Sequence, residues 1–566
     1  MFEDRVLLSG IVAQQPADLH AAVPAADYQG VIVPVSSSIS APGYAHTFLE
    51  KISYGSGAEP LAGPGPPSSA LTPAQIRHIY SLDQISDLGQ GQTIAIVDAY
   101  DDPNIFSDAD TFDEQFMTTL TGSTSYYTAY GASSTWLTKV YASGTTPQGN
   151  TGWGQEISAD VEWMHAIAPQ AKIILVEAAS DIPYDVLNAD LVAVQQGATV
   201  VSNSWGDSEF SGENNDDSYF SASHVTFVFS AGDNGDQSYP AESPNVLSVG
   251  GTTLYHDANY NWSNEVGWSD GGGGVSAYEA KPSYQSGLSY ANRAGPDVAY
   301  DADPNTGFAV YDSYGNYGWG QYGGTSVGAP QWSALIALAN QGRAADNEAP
   351  LDGLTQTLPD IYAMTTGTTG TEQLNDITTG SNGVGSAGPG YDLVTGQVTP
   401  RRADLVYQAF VSTFSIGDPG FEQVVVGAGN FQYDPTGSPW AFSSSAGISG
   451  NNSGFTSGNP PAPQGSQVAF LQGTGSFTQS VAGWAAGSYV LTFDAAQREN
   501  YQASQQNLNV LIDGSVVGTF TPSSTSYQSY STAVFTVTAG THTITFQGLD
   551  SAGGDNTAFL DAVTIS

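Results

Sequence analysis

The stretch Gly323-Gly324-Thr325-Ser326-Val327-Gly328-Ala329-Pro330 runs directly into the apolar segment Gln331 to Ala339. It reads as a glycine turn opening a helix whose first residues are small enough to pack closely against a sheet. Glycines there also admit a foreign backbone, a helix N-terminus favours developing negative charge, and Ser326 stands where a nucleophile would use both. A Ser/Thr cap on a buried helix would have the same sequence, so partners elsewhere in the chain must decide.

Upstream, runs of β-branched and apolar residues alternate with helical spacing. Thr93 to Asp98, Lys172 to Glu177, Thr199 to Asn203, Val225 to Ser230 and Val246 to Val249 have the continuous apolar character of strands buried on both faces. Glu156 to Ile167, Asp185 to Gln196 and Ser326 to Ala339 have helical spacing, and Leu71-Thr72-Pro73 opens a capped helix before them. This alternation predicts an α/β domain over residues 70–410, with a mainly parallel sheet flanked by helices and a site at the strand C-termini. From Phe421 onward, short alternating segments such as Tyr489 to Phe493, Leu508 to Ile512 and His542 to Phe546 are separated by Gly, Ser and Asn clusters. They predict an all-β sandwich over 421–566, joined by a linker at 411–420. Residues 1–69, rich in Ala, Pro, Ser and Gly and closed by Gly63-Pro64-Gly65-Pro66-Pro67, read as a leader and linker with a short or absent pro-domain.

The 566 residues include 55 acidic and 11 basic side chains, a net charge of −44. Such a surface repels nucleic acid and anionic membranes, so neither is expected as a partner. No apolar run approaches the roughly 18 residues that a membrane span needs. The absence of cysteine rules out disulfides and thiolate metal sites, leaving packing and hard metal ions as sources of stability. Met1 to Ser9 lacks the layout of a signal peptide but resembles a short motif that opens many exported bacterial proteins.

Candidate partners for Ser326 are carboxylates. Glu156 and Asp160 lie on one face of a predicted helix, where like charges repel unless they share a proton, and Ile157, Val161 and Trp163 mark that helix as packed. Asp233, in Ser230-Ala231-Gly232-Asp233, ends a strand at a tight turn. It serves either as a turn cap or, if kept protonated, as a hydrogen-bond donor to an oxyanion. Asp98, His165 and Ser326 offer a rival, histidine-based triad, but His165 lies near a helix end, just before Ala166-Ile167-Ala168-Pro169. A second group of acids, Asn375-Asp376-Ile377 and Ala387-Gly388-Pro389-Gly390-Tyr391-Asp392, flanks a Gly/Ser/Asn loop. Its oxygen-only ligands suit calcium, and solvated turn acids are the simpler alternative.

With the Glu156-to-Asp160 pair, Ser202-Asn203-Ser204-Trp205-Gly206, Ser230-Ala231-Gly232-Asp233, Gly271-Gly272-Gly273-Gly274-Val275-Ser276 and Gly324-Thr325-Ser326 in this order, residues 70–410 resemble the sedolisins, serine-carboxyl peptidases of subtilisin-like fold. The resemblance implies Ser326 as nucleophile, Glu156 as general base, Asp160 as the acid that orients it and Asp233 as oxyanion donor. Asp98 is expected to support the pair from behind. Ser204 to Gly206 and Gly272 to Gly274 look like edges that hold an extended peptide.

The resemblance further implies calcium bound by the Asp376 and Asp392 side chains and the Ile377, Gly388 and Gly390 carbonyls. It also implies a secreted, monomeric enzyme acting on protein or peptide substrates, favoured on the acid side of neutrality. The sandwich resembles galactose-binding-like jelly rolls at Gly417 to Glu422 and Asp555 to Asp561, so a carbohydrate or cell-surface ligand follows by analogy of fold. The alternative reading, a catalytically silent scaffold used for binding or adhesion, is disfavoured because all four catalytic positions are filled.

Overall fold

The computed structural model describes residues 31–35, 43–53, 65–315, 317–345, 348–364, 366–367, 373–397, 399–411, 416–484, 487–499, 506–538, 540–552 and 556–565. The motif at Met1 to Ser9 and Asp555 lie outside these residues.

The apolar runs form the centre of an eight-stranded sheet: β1 (Thr93–Ala99), β2 (Leu137–Tyr141), β3 (Lys172–Ala178), β4 (Val200–Asn203), β5 (Thr226–Ser230), β6 (Leu247–His256), β7 (Trp262–Gly267) and β8 (Val298–Asp301). The order is β7-β6-β5-β4-β1-β3-β2, with β8 also paired to β6. Every pairing is parallel except β6 with β7. Alternate residues of β1 serve opposite layers. Ile94 and Ile96 pack with helices α1 (Thr151–Ile167) and α3 (Thr325–Ala345), whereas Ala95, Val97 and Ala99 pack with α2 (Pro183–Gln195). Both faces are therefore covered, which is why the strands read as unbroken apolar runs. This is the subtilisin-like arrangement, and it aims the C-terminal ends of β1, β4 and β5 at the start of α3.

Part of the segment read as leader and linker is strand. Val31–Pro34 and Glu50–Ser53 pair antiparallel, and Glu50–Ser53 continues onto Gly318–Gly323. Short alternating pieces such as Glu50-Lys51-Ile52 are strand-forming once a partner edge is supplied, and the Ala/Pro/Ser/Gly composition around them conceals this.

Beyond Val411, two antiparallel sheets of six and five strands enclose one core containing Phe421, Trp440, Phe477, Phe493 and Phe546. Gly417 already belongs to this unit, because its N–H donates to Gln479 at 2.8 Å and its carbonyl accepts from the same amide at 2.7 Å.

Candidate active site

Helix α1 is capped by Asn150, whose side chain accepts from Gly152 N–H at 2.9 Å. It is buried from Trp153 to Ile167. Burying the face that carries Glu156 and Asp160 takes both carboxyls out of water, and each is 0% exposed. Burial therefore pushes Glu156 well above the usual carboxylate range, reinforced by Asp160 and Asp98. Asp160 is raised in the same way by burial and by Asp98. Asp98, at the end of β1, is pushed up to about 8 by burial. Three carboxyls buried together repel one another's charge, so the ionisation of each depends on the others.

Ser326 sits in the first turn of α3, also 0% exposed. Its hydroxyl donates to the Ser204 carbonyl at 3.3 Å. Neither Glu156 carboxylate oxygen has a partner in hydrogen-bond geometry, yet the serine lies near enough to oppose the upward push on the Glu156 pKa. Pro330, inside the helix, has no N–H to give the Ser326 carbonyl. Ser204 fills that role: its Oγ lies 3.2 Å from the Ser326 carbonyl and 2.9 Å from Asp160 Oδ1. One hydroxyl carries one proton, so both contacts are satisfied when a protonated Asp160 donates to Ser204 and Ser204 donates to Ser326. Asp160 thus reaches the nucleophile's backbone through Ser204.

Asp233 is buried at the turn after β5. Its Oδ1 accepts from the Thr325 N–H and from Thr325 Oγ1, both at 2.8 Å, which ties it to the start of α3. Its Oδ2 is buried without a partner. Burial raises Asp233 well above the usual range, helped by Glu50, which favours the protonated form. His165 belongs elsewhere. It stacks on Trp136 at 3.7 Å and lies 3.2 Å from Asp113, among Tyr126 and Tyr130, so the rival triad does not assemble.

Residues 140–379 match the Subtilase family model. Kumamolisin from Bacillus sp. (strain MN-32) is 31% identical over 406 residues, covering 62% of this chain and 65% of kumamolisin. Sedolisin from Pseudomonas sp. (strain 101) is 35% identical over 176 residues, 28% of each chain. These relatives support the sedolisin family for this chain. The solved structure of Pseudomonas sedolisin, a serine-carboxyl proteinase complexed with two molecules of pseudo-iodotyrostatin, aligns with TM-score 0.48 and 25% identity over 59% of this chain and 96% of that one. The chain thus spans just under two thirds of kumamolisin and under a third of the sedolisin sequence.

Outside the sedolisin-like centre, Asp376 and Asp392 gather on one loop. Gly390 N–H donates to Asp376 and Gly388 N–H to Asp392, both at 3.0 Å. Asp376 Oδ1 is buried with no partner, and Ile377 is buried. An orphan carboxylate oxygen beside a loop rich in carbonyls fits an oxygen-seeking cation. The sequence reading missed a further trio, Asp102, Asp108 and Asp312, whose carboxylate oxygens lie within 4.8 Å of one another. Burial pushes Asp102 up to about 7 and Asp312 up to about 8, so protonation alone can keep this trio neutral in acid. The separation of Asp312 from the other two along the chain hid it.

Proposed function

We propose that the chain is an exported serine-carboxyl peptidase that hydrolyses peptide bonds through an acyl-enzyme on Ser326. The observation that carries this reading is the burial of the Ser326 hydroxyl with the carboxyls of Glu156, Asp160 and Asp98, and of a separate carboxyl, Asp233, hydrogen-bonded to the same helix start. Ionisation of the Glu156, Asp160 and Asp98 group leaves one charge, and on Glu156 that charge takes the Ser326 proton as the oxygen attacks a carbonyl. Asp160 holds the nucleophile's backbone through Ser204. Protonated Asp233 and the Ser326 N–H stabilise the oxyanion, and the proton on Glu156 then passes to the leaving amine. Too much acid silences the base, and too little removes the Asp233 proton, so activity falls on both sides of a mildly acid optimum. Digestion of a denatured protein across pH tests this; an alkaline optimum, or full activity in Ser326→Ala, would overturn it.

Calcium held by Asp376, Asp392 and the Ile377, Gly388 and Gly390 carbonyls would brace the loop between them. The C-terminal sandwich would bind a carbohydrate or cell-surface ligand, and the enzyme would act as a secreted monomer. No described helix is long and apolar enough to cross a membrane.

A further inference from the structure

The segment Gly43 to Ser53 crosses the candidate active site as an extended strand. His46 and Thr47 pair antiparallel with Gly206 and Trp205, on the edge read from the sequence as substrate-holding. Ala45 N–H donates to the Asp181 carbonyl at 2.7 Å, and Gly43 N–H donates to Asp207 at 2.7 Å. Beyond the serine, Glu50 and Lys51 pair with Gly323 and Tyr322. Phe48 lies between these two pairings and is 3% exposed. Its ring fills space that two glycines leave open: a β-carbon on Gly206 would sit 2.9 Å from that ring, and one on Gly232 would sit 3.6 Å away. The Phe48 carbonyl accepts from the Ser326 N–H at 3.3 Å. At Gly324 (φ +100°), an added β-carbon would strike both that carbonyl oxygen and the free Oδ2 of Asp233. The carbonyl thus shares one small space with both groups that would bind an oxyanion.

Resting on the peptidase reading, we infer that this cleft cuts internal peptide bonds following an aromatic residue, and that its first substrate is its own Phe48–Leu49 bond. Side-chain choice follows from the space that Gly206 and Gly232 leave for a buried ring. Internal cutting follows from the upstream course of the strand. A site that releases tripeptides must close after the third residue and receive an amino terminus, whereas here the chain continues past His46 to backbone partners at Ala45 and Gly43. In the step, Ser326 Oγ bonds to the Phe48 carbonyl carbon and its proton moves to Glu156. The bond to the Leu49 nitrogen breaks, and that nitrogen takes the proton from Glu156. Water then cleaves the Phe48 ester, giving a Phe48 carboxylate and restoring Ser326. Until then the strand fills the cleft and excludes other substrates.

The test is intact mass and N-terminal sequencing of the full chain, held in mildly acid buffer at several protein concentrations. A new N-terminus at Leu49, formed at a rate independent of concentration and absent in Ser326→Ala, is the expected result. Phe48→Tyr should be cut at the same bond, and Phe48→Asp should be cut roughly 100-fold more slowly. The peptide acetyl-His-Thr-Phe-Leu-Glu-amide, which has no free amino terminus, should be cut between Phe and Leu. A protein that digests denatured protein but leaves Phe48–Leu49 intact, or that releases only tripeptides from free amino ends, overturns this inference and leaves the peptidase reading standing. A protein that digests nothing at any pH overturns both.

Discussion

The α/β region and the C-terminal sandwich are both acidic, and they dispose of their acids in opposite ways. The α/β region buries carboxyls throughout, among them Asp98, Asp102, Glu156, Asp160, Glu162, Glu177, Asp190, Asp233 and Asp301. In the sandwich, Asp561 is the one buried carboxyl among the described residues, and the interior is aromatic. A buried acid with few cations nearby avoids the cost of its charge by keeping its proton, so the first region stores many protons and the second, at Asp561, one. Chemistry that needs neutral acids and a shared charge can arise only in the first.

The largest expected effect separates the two regions by activity. Glu156→Gln should lower kcat/KM by about a thousandfold or more, and combining it with Ser326→Ala should cost little beyond either change, because the two act as a unit. Asp561→Asn, which alters a buried acid pushed up to about 7 by its own burial, should leave activity unchanged. Peptide hydrolysis at fixed pH measures both, and equal losses from Asp561→Asn and Glu156→Gln would erase the contrast.

Stability against pH should divide the molecule next. A carboxyl whose pKa is raised on folding stabilises fully below its unfolded value, near 4, and that contribution is lost as pH rises through the folded value. Asp98, Glu177 and Asp312 are all pushed up to about 8 by burial, with Lys139, 3.0 Å from Glu177, moderating the second. The α/β melting transition should therefore fall between pH 4 and pH 8, by roughly 10 °C or more, while the sandwich transition, with Asp561 as its one buried acid among the described residues, falls by less. Calorimetry resolves the two, and a common pH dependence would show that the buried acids are ionised and paired after all.

How much of this was legible in the sequence follows from the range of the interactions. Strands β1, β3, β4, β5 and the start of β6 were readable because burial on both faces writes apolar runs into the chain itself. Glu156 with Asp160, Asp233 and Ser326 were readable because each sits at a local landmark: one helix face, one strand end, one glycine turn. Strand β2 was missed because Thr138 is exposed and Lys139 turns to Asp101 and Glu177, leaving no apolar run. Strand β8 was missed because it is short and ends in buried Asp301. The relay through Ser204 depends on a serine far from both of its partners along the chain, and Phe48 was concealed in a segment whose composition reads as linker. Contacts of that kind leave no periodic trace.

A smaller effect concerns the loop that Asp376 and Asp392 share. If calcium neutralises these acids, a chelator should lower the α/β transition by a few degrees and leave the sandwich transition in place, because an ion bound to the native state stabilises only what it touches. Asp376→Ala should reproduce the loss and abolish the response to chelator. A melting curve insensitive to chelator in the unmodified protein would remove calcium from this loop and return both acids to the role of turn caps.

The smallest expected effect on catalysis is that of removing the sandwich altogether. The apolar clusters of the α/β region end at Val411, and that of the sandwich begins with Ile416, with no buried apolar residue shared between them. Residues Gly417 to Phe421 bond within the sandwich, so a chain ending at Val411 cuts between two cores instead of through one. Hydrolysis of a small peptide should then change by no more than about twofold, since every group placed around Ser326 lies upstream. Retention on insoluble polysaccharide or cell-wall material should be lost, because the proposed surface-binding unit is gone. Soluble truncated protein with normal peptide hydrolysis and undiminished retention would move the binding surface into the α/β region. Insoluble or inactive truncated protein would mean that the two cores, so differently built, fold as one.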